Sequence, residues 1–343
     1  MSPSLPSLPL PPPPPRRRVL VLGATGTIGR ATVRALLRRG HEVVCLVRPR
    51  SGVATTLNPQ DSQTLLAGAT LRYGQVTDAV SLARDGFQGE HFDALVSCLA
   101  SRTGAPADAW AIDHQAHLLA LAAATAAGVG HVVLLSAICV QKPLLAFQQA
   151  KLAFERTLID SGLVYSIVRP TAFFKSLSGQ VSRVQRGKPF LVFGDGRLTA
   201  CKPISDDDLG DYLAGCLEEP SRLNRVLPIG GPGPAITPRE QGQALFALLG
   251  QRPRFQQVPV ALLDLVIGVL GSLGRVLPPL AAKAELARIG RYYATESMLV
   301  LDPVTGRYDA NATPSTGTQT LADHYARLLQ GDASAELGDH AVF

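Results

Sequence analysis

Cysteine, tryptophan and charged residues are scarce in this sequence. Its 343 residues include five cysteines, one tryptophan and 17% charged residues. The cysteines show no Cys-x-x-Cys spacing and lie mostly in apolar runs. This argues against disulfides and zinc, and favours buried thiols in a reducing compartment. We therefore expect no metal site. The cysteines are Cys45, Cys98, Cys139, Cys201 and Cys216.

A basic stripe is also missing. The formal net charge is +6, and Arg16, Arg17 and Arg18 supply half of it from one short run. A nucleic-acid-binding surface would combine clustered cations with interleaved aromatic residues, and the sequence offers no such cluster. We expect no nucleic-acid partner.

No apolar run is long enough to span a membrane. The most apolar segment covers residues 258–282, and Asp264, Arg275 and a Pro-Pro pair interrupt it. Its longest charge-free run is Leu265–Gly274, well short of the ~20 residues that a span requires. The segment predicts a buried or pocket-lining helix, with peripheral contact with a bilayer as the alternative.

The first residues are rich in proline. Residues 1–17 lack the apolar core of a secretory signal and predict a disordered tail. The segment is acid-free, as transit peptides are, but short for one. This favours a bacterial cytoplasm, or a plastid if the host is a eukaryote.

Short apolar runs alternate with helical stretches from Val19 onward, which predicts an α/β fold with a doubly wound parallel sheet, a Rossmann fold. We expect residues 18–170 to form an NADPH-binding domain. Residues 171–343 should form a smaller α/β substrate-covering region that completes the fold. The strand candidates are residues 18–24, 42–47, 70–74, 93–99, 131–137 and 164–170, and the helix candidates are about 27–39, 78–86, 107–127 and 144–161.

Two further helices have clear start signals. Ser205 precedes three acids, Asp206–Asp208, which suit a helix N-terminus better than a metal site. Thr237 precedes Pro238 and is followed by Glu240, the pattern of a capping box.

A glycine-rich turn follows the first strand and opens the first helix. The segment GATGTIG has Gly23 for the tight turn, Gly26 for close approach to a pyrophosphate and Gly29 for helix packing. Amide groups at the helix N-terminus would then face the anion. The candidate cofactor residues of this segment are Gly23, Thr25, Gly26, Thr27, Ile28 and Gly29.

The end of the second strand has no acidic residue. An NAD site places a carboxylate there, whereas this chain has Arg48 and Arg50. Arginine can bind a 2′-phosphate in bidentate fashion, so the sequence predicts NADPH, with Arg48 as its first contact. An arginine that is merely solvated is the alternative.

The segment after the fifth strand has a lysine but no tyrosine. Ser136 ends that strand, Lys151 follows on a helix, and Phe147 stands four places before the lysine. The spacing resembles the short-chain dehydrogenase/reductase family, in which Ser and Tyr-x-x-x-Lys serve catalysis and the lysine binds the nicotinamide ribose. Since a phenyl ring cannot protonate an alkoxide, carbonyl reduction is not expected.

Motifs in the second half of the chain make the resemblance more specific. RPTAFFKSLSGQV, FGDGRLTACKPIS, ITPREQG, IGRYYATESMLVLDPVTGRYD and the closing ELGDHAVF resemble the NADPH-type divinyl chlorophyllide a 8-vinyl reductases over about residues 18–343. The resemblance implies reduction of the 8-vinyl group of a divinyl chlorophyllide or protochlorophyllide to ethyl. It also implies phenylalanine at position 147, and peripheral association with a photosynthetic membrane is possible.

Positions at strand ends and in these motifs supply the remaining site candidates. Ser97, Ala100, Pro170 and Phe173 are expected near the cofactor, with Gln75 and Val76 beside the adenine. Phe174, Lys175, Lys202 and Arg291 are substrate candidates, although solvated charges and core packing are alternatives. Lys151 is the catalytic candidate, and Tyr292 and Tyr293 are candidates for proton donation or ring stacking, with water as an equal source of the proton.

Two other functions remain open at this point. A non-catalytic NADPH-binding protein, such as a photosystem assembly factor or redox sensor, would also lack the tyrosine. An NADPH-dependent reductase of another conjugated alkene, such as a phenylpropanoid, is the third possibility.

Overall fold

The computed structural model describes residues 15–48, 59–275 and 277–331. The predicted disordered tail lies almost entirely outside these residues, as do Arg50 and the closing ELGDHAVF segment. The prediction of three regions divided at residues 17 and 170 stays a prediction.

A seven-stranded parallel sheet forms the centre of the molecule, which confirms the predicted Rossmann fold. Its strand order is β3-β2-β1-β4-β5-β6-β8, with the order reversing between β1 and β4. The last strand comes from the second half of the chain and pairs with β6. The strands are β1 (Arg18–Leu22), β2 (Glu42–Val47), β3 (Thr70–Tyr73), β4 (Ala94–Ser97), β5 (His131–Leu135), β6 (Val164–Pro170), β7 (Phe190–Phe193), β8 (Arg225–Ile229), β9 (Phe255–Val258), β10 (Val300–Leu301) and β11 (Tyr308–Asp309).

Helices pack on both faces of this sheet and in a smaller region formed by the second half of the chain. They are α1 (Thr27–Arg38), α2 (Pro59–Leu65), α3 (Ala79–Ser81), α4 (Pro106–Ala109), α5 (His117–Ala126), α6 (Ala146–Asp160), α7 (Phe174–Leu177), α8 (Val181–Gln185), α9 (Asp206–Gly215), α10 (Pro238–Leu248), α11 (Val260–Leu273), α12 (Pro278–Thr295) and α13 (Leu321–Gln330). Two π-helical segments, Leu82–Phe87 and Trp110–Ala116, extend α3 and join α4 to α5.

Alternate residues of β1 enter two separate cores. Val19 and Val21 pack toward α1 and α9, whereas Leu20 and Leu22 pack toward α5 and α6. Successive side chains of a strand point to opposite faces, so a strand covered on both faces must be apolar throughout. This is why the strands read as continuous apolar runs.

The predicted helix caps are present. The Ser205 hydroxyl accepts the Asp208 amide at 3.0 Å. Thr237 and Glu240 form the expected capping box at the start of α10. Among the described residues no cluster of His, Cys, Asp or Glu could hold a metal ion. Of the acids at the start of α9, Asp207 pairs with Arg34, and the Asp208 carboxylate accepts the amides of Thr318 and Gln319.

The second half of the chain builds a smaller core beside the sheet. The parallel pair β7–β9 packs with α8, α10 and α13 around Phe190, Phe246 and Tyr325. The antiparallel pair β10–β11 follows α12. These elements form the smaller α/β region that the sequence predicted.

The apolar segment 258–282 departs from its prediction. It forms α11, a turn and the start of α12, and α11 has no buried residue. The prediction of a buried helix is therefore wrong for α11, because apolar composition alone does not reveal whether a helix face is covered. That the segment lines a pocket stays a prediction. No helix in the described ranges is long and apolar enough to cross a bilayer.

Candidate functional site

The predicted cofactor residues come together at one edge of the sheet. β1, β4, β5 and β6 are neighbours, with Leu22 opposite Ser97 and Leu135 opposite Val168. The chain leaves these strands at Gly23, Cys98, Ser136 and Thr171. In doubly wound sheets the ligand crevice lies at this carboxyl edge, where the strand order reverses.

The glycine-rich turn leaves no space for side chains. Gly23 has a φ of +73°, and a Cβ on it would lie 2.6 Å from the Cys98 carbonyl. A Cβ on Gly29 would overlap the carbonyl oxygen of Gly23. Both positions therefore require glycine, and the close approach brings the turn against the end of β4.

The N-terminus of α1 suits an anion. Gly26 caps the helix without a side chain, and the first turn holds no acidic residue. The amides of Thr27, Ile28 and Gly29 therefore have no side-chain cap, and a diphosphate would satisfy them. The Ile28 side chain is buried, so this residue offers its backbone, and Thr25 lies half-buried in the turn.

The end of β2 carries the predicted 2′-phosphate contact. Arg48 directly follows Val47 and is exposed, and no partner for its guanidinium is found among the described residues. Nearby, Gln75 is exposed and Val76 is buried in the core. Arg48 is thus available to a ligand at this end of the sheet.

Lys151 forms an ion pair that the sequence did not reveal. Its Nζ lies 2.9 Å from Oδ1 of Asp113, which is fully buried. The same oxygen accepts the backbone amide of Ser101 at 3.2 Å, next to the exposed Ala100. Asp113 lies in the π-helical segment 110–116, a type of helix distortion that is frequent at functional sites. It thereby holds the lysine beside the loop after β4.

Ser97 and His117 form a second buried pair behind this loop. The ring Nδ1 of His117 donates to the Ile112 carbonyl at 2.9 Å, so Nε2 accepts the Ser97 hydroxyl at 2.9 Å. Burial and the nearby Lys151 charge lower the pKa of His117 to about 4. The ring is therefore neutral at neutral pH. Ser97 stays in place as a buried positioning group.

Ser136 points away from open space. Its hydroxyl donates a hydrogen bond to the Glu155 carboxylate, which also forms an ion pair with the guanidinium of Arg169. Glu155 is buried, and these two donors compensate its charge. Ser136 thus belongs to a structural network between β5, α6 and β6.

Phe147 lies in an apolar cluster one turn before Lys151. The half-buried ring packs with Ile289, Tyr292 and Met298. The Tyr292 hydroxyl donates to the carbonyls of Cys139 at 3.0 Å and Lys142 at 3.1 Å, and burial raises the pKa of this phenol. Tyr292 therefore acts as a structural residue in this arrangement. The adjacent Tyr293 is more exposed, but burial and the nearby Cys139 raise the pKa of its phenol as well.

The substrate candidates do not form one group. Phe174 is buried in the C-terminal core, which fits its alternative interpretation as a core residue. Lys202 donates to the Thr313 carbonyl and the Ser315 hydroxyl, and Arg291 pairs with Asp264. Both cations are engaged within the protein, because each has a fixed partner.

Lys175, Phe173 and Pro170 lie closer to the sheet edge. The positive charge of Lys175 opposes the effect of burial, which raises the pKa of Asp206 at the start of α9. Phe173 bridges to Ile204 and is half-buried, and Pro170 ends β6. Of the three cationic substrate candidates, Lys175 is the one whose charged group has no fixed hydrogen-bond partner in the described part of the chain.

Sequence reasoning missed Asp113, His117 and Glu155. Helical spacing is the signal that could have identified them, because Asp113 and His117 are four residues apart and Glu155 follows Lys151 by four residues. Burial of a carboxylate predicts a partner cation, although the sequence does not show which one.

Comparisons with known proteins agree with this geometry. The NAD(P)H-binding family matches residues 23–220. The divinyl chlorophyllide a 8-vinyl-reductase of Oryza sativa subsp. indica, a chloroplastic protein, is 52% identical over 331 residues, covering 95% of this chain and 82% of the relative. The photosystem II assembly factor Ycf39 of Synechocystis is 27% identical, over 72% of each chain.

Solved structures share the fold at low sequence identity. Leucoanthocyanidin reductase from Vitis vinifera, solved in a binary complex with NADPH, has a TM-score of 0.66 at 16% identity, over 91% of this chain and 99% of that one. Because the match covers 91% of this chain, the shared fold includes both the Rossmann sheet and the smaller region. From the extent of the match to the rice protein, the chain belongs to the divinyl chlorophyllide a 8-vinyl-reductase family.

Proposed function

We propose that this protein reduces the 8-vinyl group of divinyl chlorophyllide a, or of the corresponding protochlorophyllide, to an ethyl group with NADPH. The observation that carries this function is the 52% identity to the rice reductase over 95% of the chain. That match includes the region beyond residue 220, which the general NAD(P)H-binding family does not cover.

The residues at the sheet edge fit the cofactor. The uncapped amides of α1 would hold the diphosphate, Arg48 the 2′-phosphate and Lys151 the nicotinamide ribose. When bound, NADPH supplies the hydride. Phe173 and Pro170 would border the nicotinamide at the end of β6.

Phe147 is compatible with alkene chemistry. Carbonyl reduction concentrates charge on one oxygen, which requires a proton donor at that point. Reduction of a vinyl group on a macrocycle spreads the charge over the conjugated system, so an apolar ring at position 147 is tolerated.

The proton that completes the reduction comes from solvent or an accessible side chain in this proposal. Tyr292 is a poor donor because two carbonyls hold its hydroxyl and burial raises its pKa. Burial raises the pKa of Tyr293 as well, so solvent is the better source of the proton. Lys175 is the better candidate for the pigment propionate.

The proposed function also predicts the cellular compartment of the protein. We propose a plastid in a eukaryotic host or the cytoplasm of a photosynthetic bacterium, where the protein meets its pigment at the surface of a photosynthetic membrane. The relatives from rice, maize, cucumber and Arabidopsis are named as chloroplastic.

A direct assay tests the function. Purified protein is incubated with NADPH and divinyl chlorophyllide, and the monovinyl product is followed by its blue-shifted absorption and by chromatography. We expect conversion that depends on NADPH. Intact NADPH binding without conversion would instead support a role as an assembly factor, which is what the Synechocystis relative is named.

A further inference from the structure

The helix α11 exposes an apolar stripe to solvent. The outer stripe consists of Leu262, Leu265, Val266, Val269 and Leu273, whose spacing places them on one helix face. The side chains of Leu265 and Val269 are 63% and 50% exposed. Contiguous exposed apolar patches on soluble proteins mark interaction sites.

The opposite face of α11 is already covered by α12. Asp264 pairs with Arg291, and the guanidinium of Arg288 lies against Gly271. At the turn, a Cβ on Gly274 would lie 2.8 Å from Ala281. The two helices thus form an antiparallel hairpin, and the outer stripe is a second apolar face that faces outward.

The unpaired charges of this hairpin are positive. Arg275 lies at the turn between the exposed Leu273 and Leu277, and Lys283 precedes the exposed Leu286 by one helical turn. Neither cation has an ion-pair partner in the described ranges. The two acids of the hairpin are both neutralised, since Asp264 pairs with Arg291 and Glu285 with Arg288.

We propose that the α11–α12 hairpin docks on the surface of an anionic lipid bilayer. The 14-residue α11 would lie in the interface, with its outer stripe among the acyl chains and Arg275 and Lys283 on the headgroup phosphates. Apolar residues bordered by unpaired cations match an anionic interface better than an acidic protein surface, which would leave the stripe in water.

The docking surface also gives the proposed reductase a route to its pigment, and this part of the inference rests on the proposed function. On α12, Ile289 reaches Gly104 and Phe147, next to Lys151. A docked hairpin would therefore bring the candidate site close to a membrane-held apolar pigment.

Vesicle flotation of the full chain tests the docking surface. Vesicles of phosphatidylcholine alone are compared with vesicles that also contain phosphatidylglycerol, without NADPH or pigment. We expect binding to the anionic vesicles. Leu265→Gln with Val269→Gln should weaken it at least about tenfold. The matched control, Val80→Gln with Val304→Gln, changes two exposed valines elsewhere and should bind as wild type.

A second pair of variants tests the charges. Arg275→Gln with Lys283→Gln should weaken binding about fivefold for each cation, with a smaller dependence on salt. Arg186→Gln with Lys188→Gln, which removes two exposed cations from another loop, should have no effect.

Several results would overturn the proposal. These are absence of wild-type binding, unchanged binding of the stripe variant, and a wild-type dimer in solution that the stripe variant abolishes. Thermal unfolding checks that each variant is folded.

Conversion of detergent-dispersed pigment by the same proteins tests the reductase activity separately. A protein that binds the anionic vesicles but does not convert the pigment would contradict only the proposed function.

Discussion

At the scale of single residues, a few buried polar groups position the residues at the cofactor edge. Asp113 holds Lys151 at 2.9 Å, and His117 holds Ser97. Each group is fixed by a partner from another element, so its position is set before any ligand binds. Such preorganisation reduces the entropy that binding must otherwise overcome.

Asp113→Asn should weaken NADPH binding by about tenfold, or roughly 1.4 kcal/mol, because Lys151 loses the charge that orients it. Isothermal titration with NADPH measures the change, and a larger effect on KM for NADPH than on kcat would indicate positioning. Glu285→Gln removes another largely buried, ion-paired carboxylate and should leave NADPH affinity unchanged. Equal affinity of wild type and Asp113→Asn would remove Asp113 from the site.

Arg48→Asp should shift preference from NADPH toward NADH. The aspartate repels a 2′-phosphate and can accept a hydrogen bond from a 2′-hydroxyl. The ratio of kcat/KM for the two cofactors is the measurement, and we expect it to fall about tenfold or more. Arg225→Asp, on an exposed arginine of β8, serves as the control. An unchanged ratio would refute the assignment of Arg48.

Phe147→Tyr should leave the reduction rate within about threefold of wild type, because the reaction needs no phenolic proton donor at this position. Steady-state rates with divinyl chlorophyllide check this. A large gain in rate would mean that proton delivery at position 147 limits the native enzyme.

At the scale of elements, the first strand, turn and helix of the chain act as one unit. Gly29 allows α1 to pack closely against the glycine-rich turn. Gly210 of α9 allows that helix to contact the backbone of α1 at Ala31. These contacts place the α1 amides at the edge of the sheet. The approach is so close that neither glycine has room for a methyl group.

Gly29→Ala should abolish measurable NADPH binding and lower the free energy of unfolding by about 1–3 kcal/mol, because the new methyl overlaps the Gly23 carbonyl. Urea unfolding and NADPH titration measure both effects. Gly268→Ala provides the matched control, since that helical glycine has open space around it and alanine favours a helix by about 1 kcal/mol. Similar behaviour of the two variants would contradict the packing argument.

At the scale of the whole molecule, buried histidines couple folding to pH. Burial lowers the pKa of His117 and His131 from 6.5 to about 4, and both rings are buried. Between these pH values the unfolded chain takes up protons that the folded protein does not. Stability is therefore fully present above pH 6.5 and is lost as the pH falls toward 4.

The free energy of unfolding should fall by up to about 1.4 kcal/mol per pH unit for each buried histidine in this range. Urea unfolding at a series of pH values measures the slope. His117→Gln should reduce the slope, whereas His91→Gln changes an exposed histidine and should not. An identical slope in His117→Gln and wild type would show that His117 titrates normally.

The local features were predictable from the sequence. The six predicted strands, the glycine turn, the Thr237 capping box and the assignment to a reductase family are all confirmed. These features depend on residues that are neighbours in the chain, because strand periodicity, caps and tight turns are set by backbone geometry over a few residues. The missing carboxylate at Arg48 is a local signal of the same kind.

Contacts between distant segments were decided by the tertiary structure alone. Asp113 meets Lys151, Ser136 turns to Glu155, Phe174 enters a core, and Lys202 and Arg291 find partners of their own. Likewise, α11 was predicted to be buried or to line a pocket, and the structure shows an apolar face of this helix exposed. Composition establishes that a residue is apolar or charged, but only the packing of one element on another determines whether it meets a partner, the core or solvent.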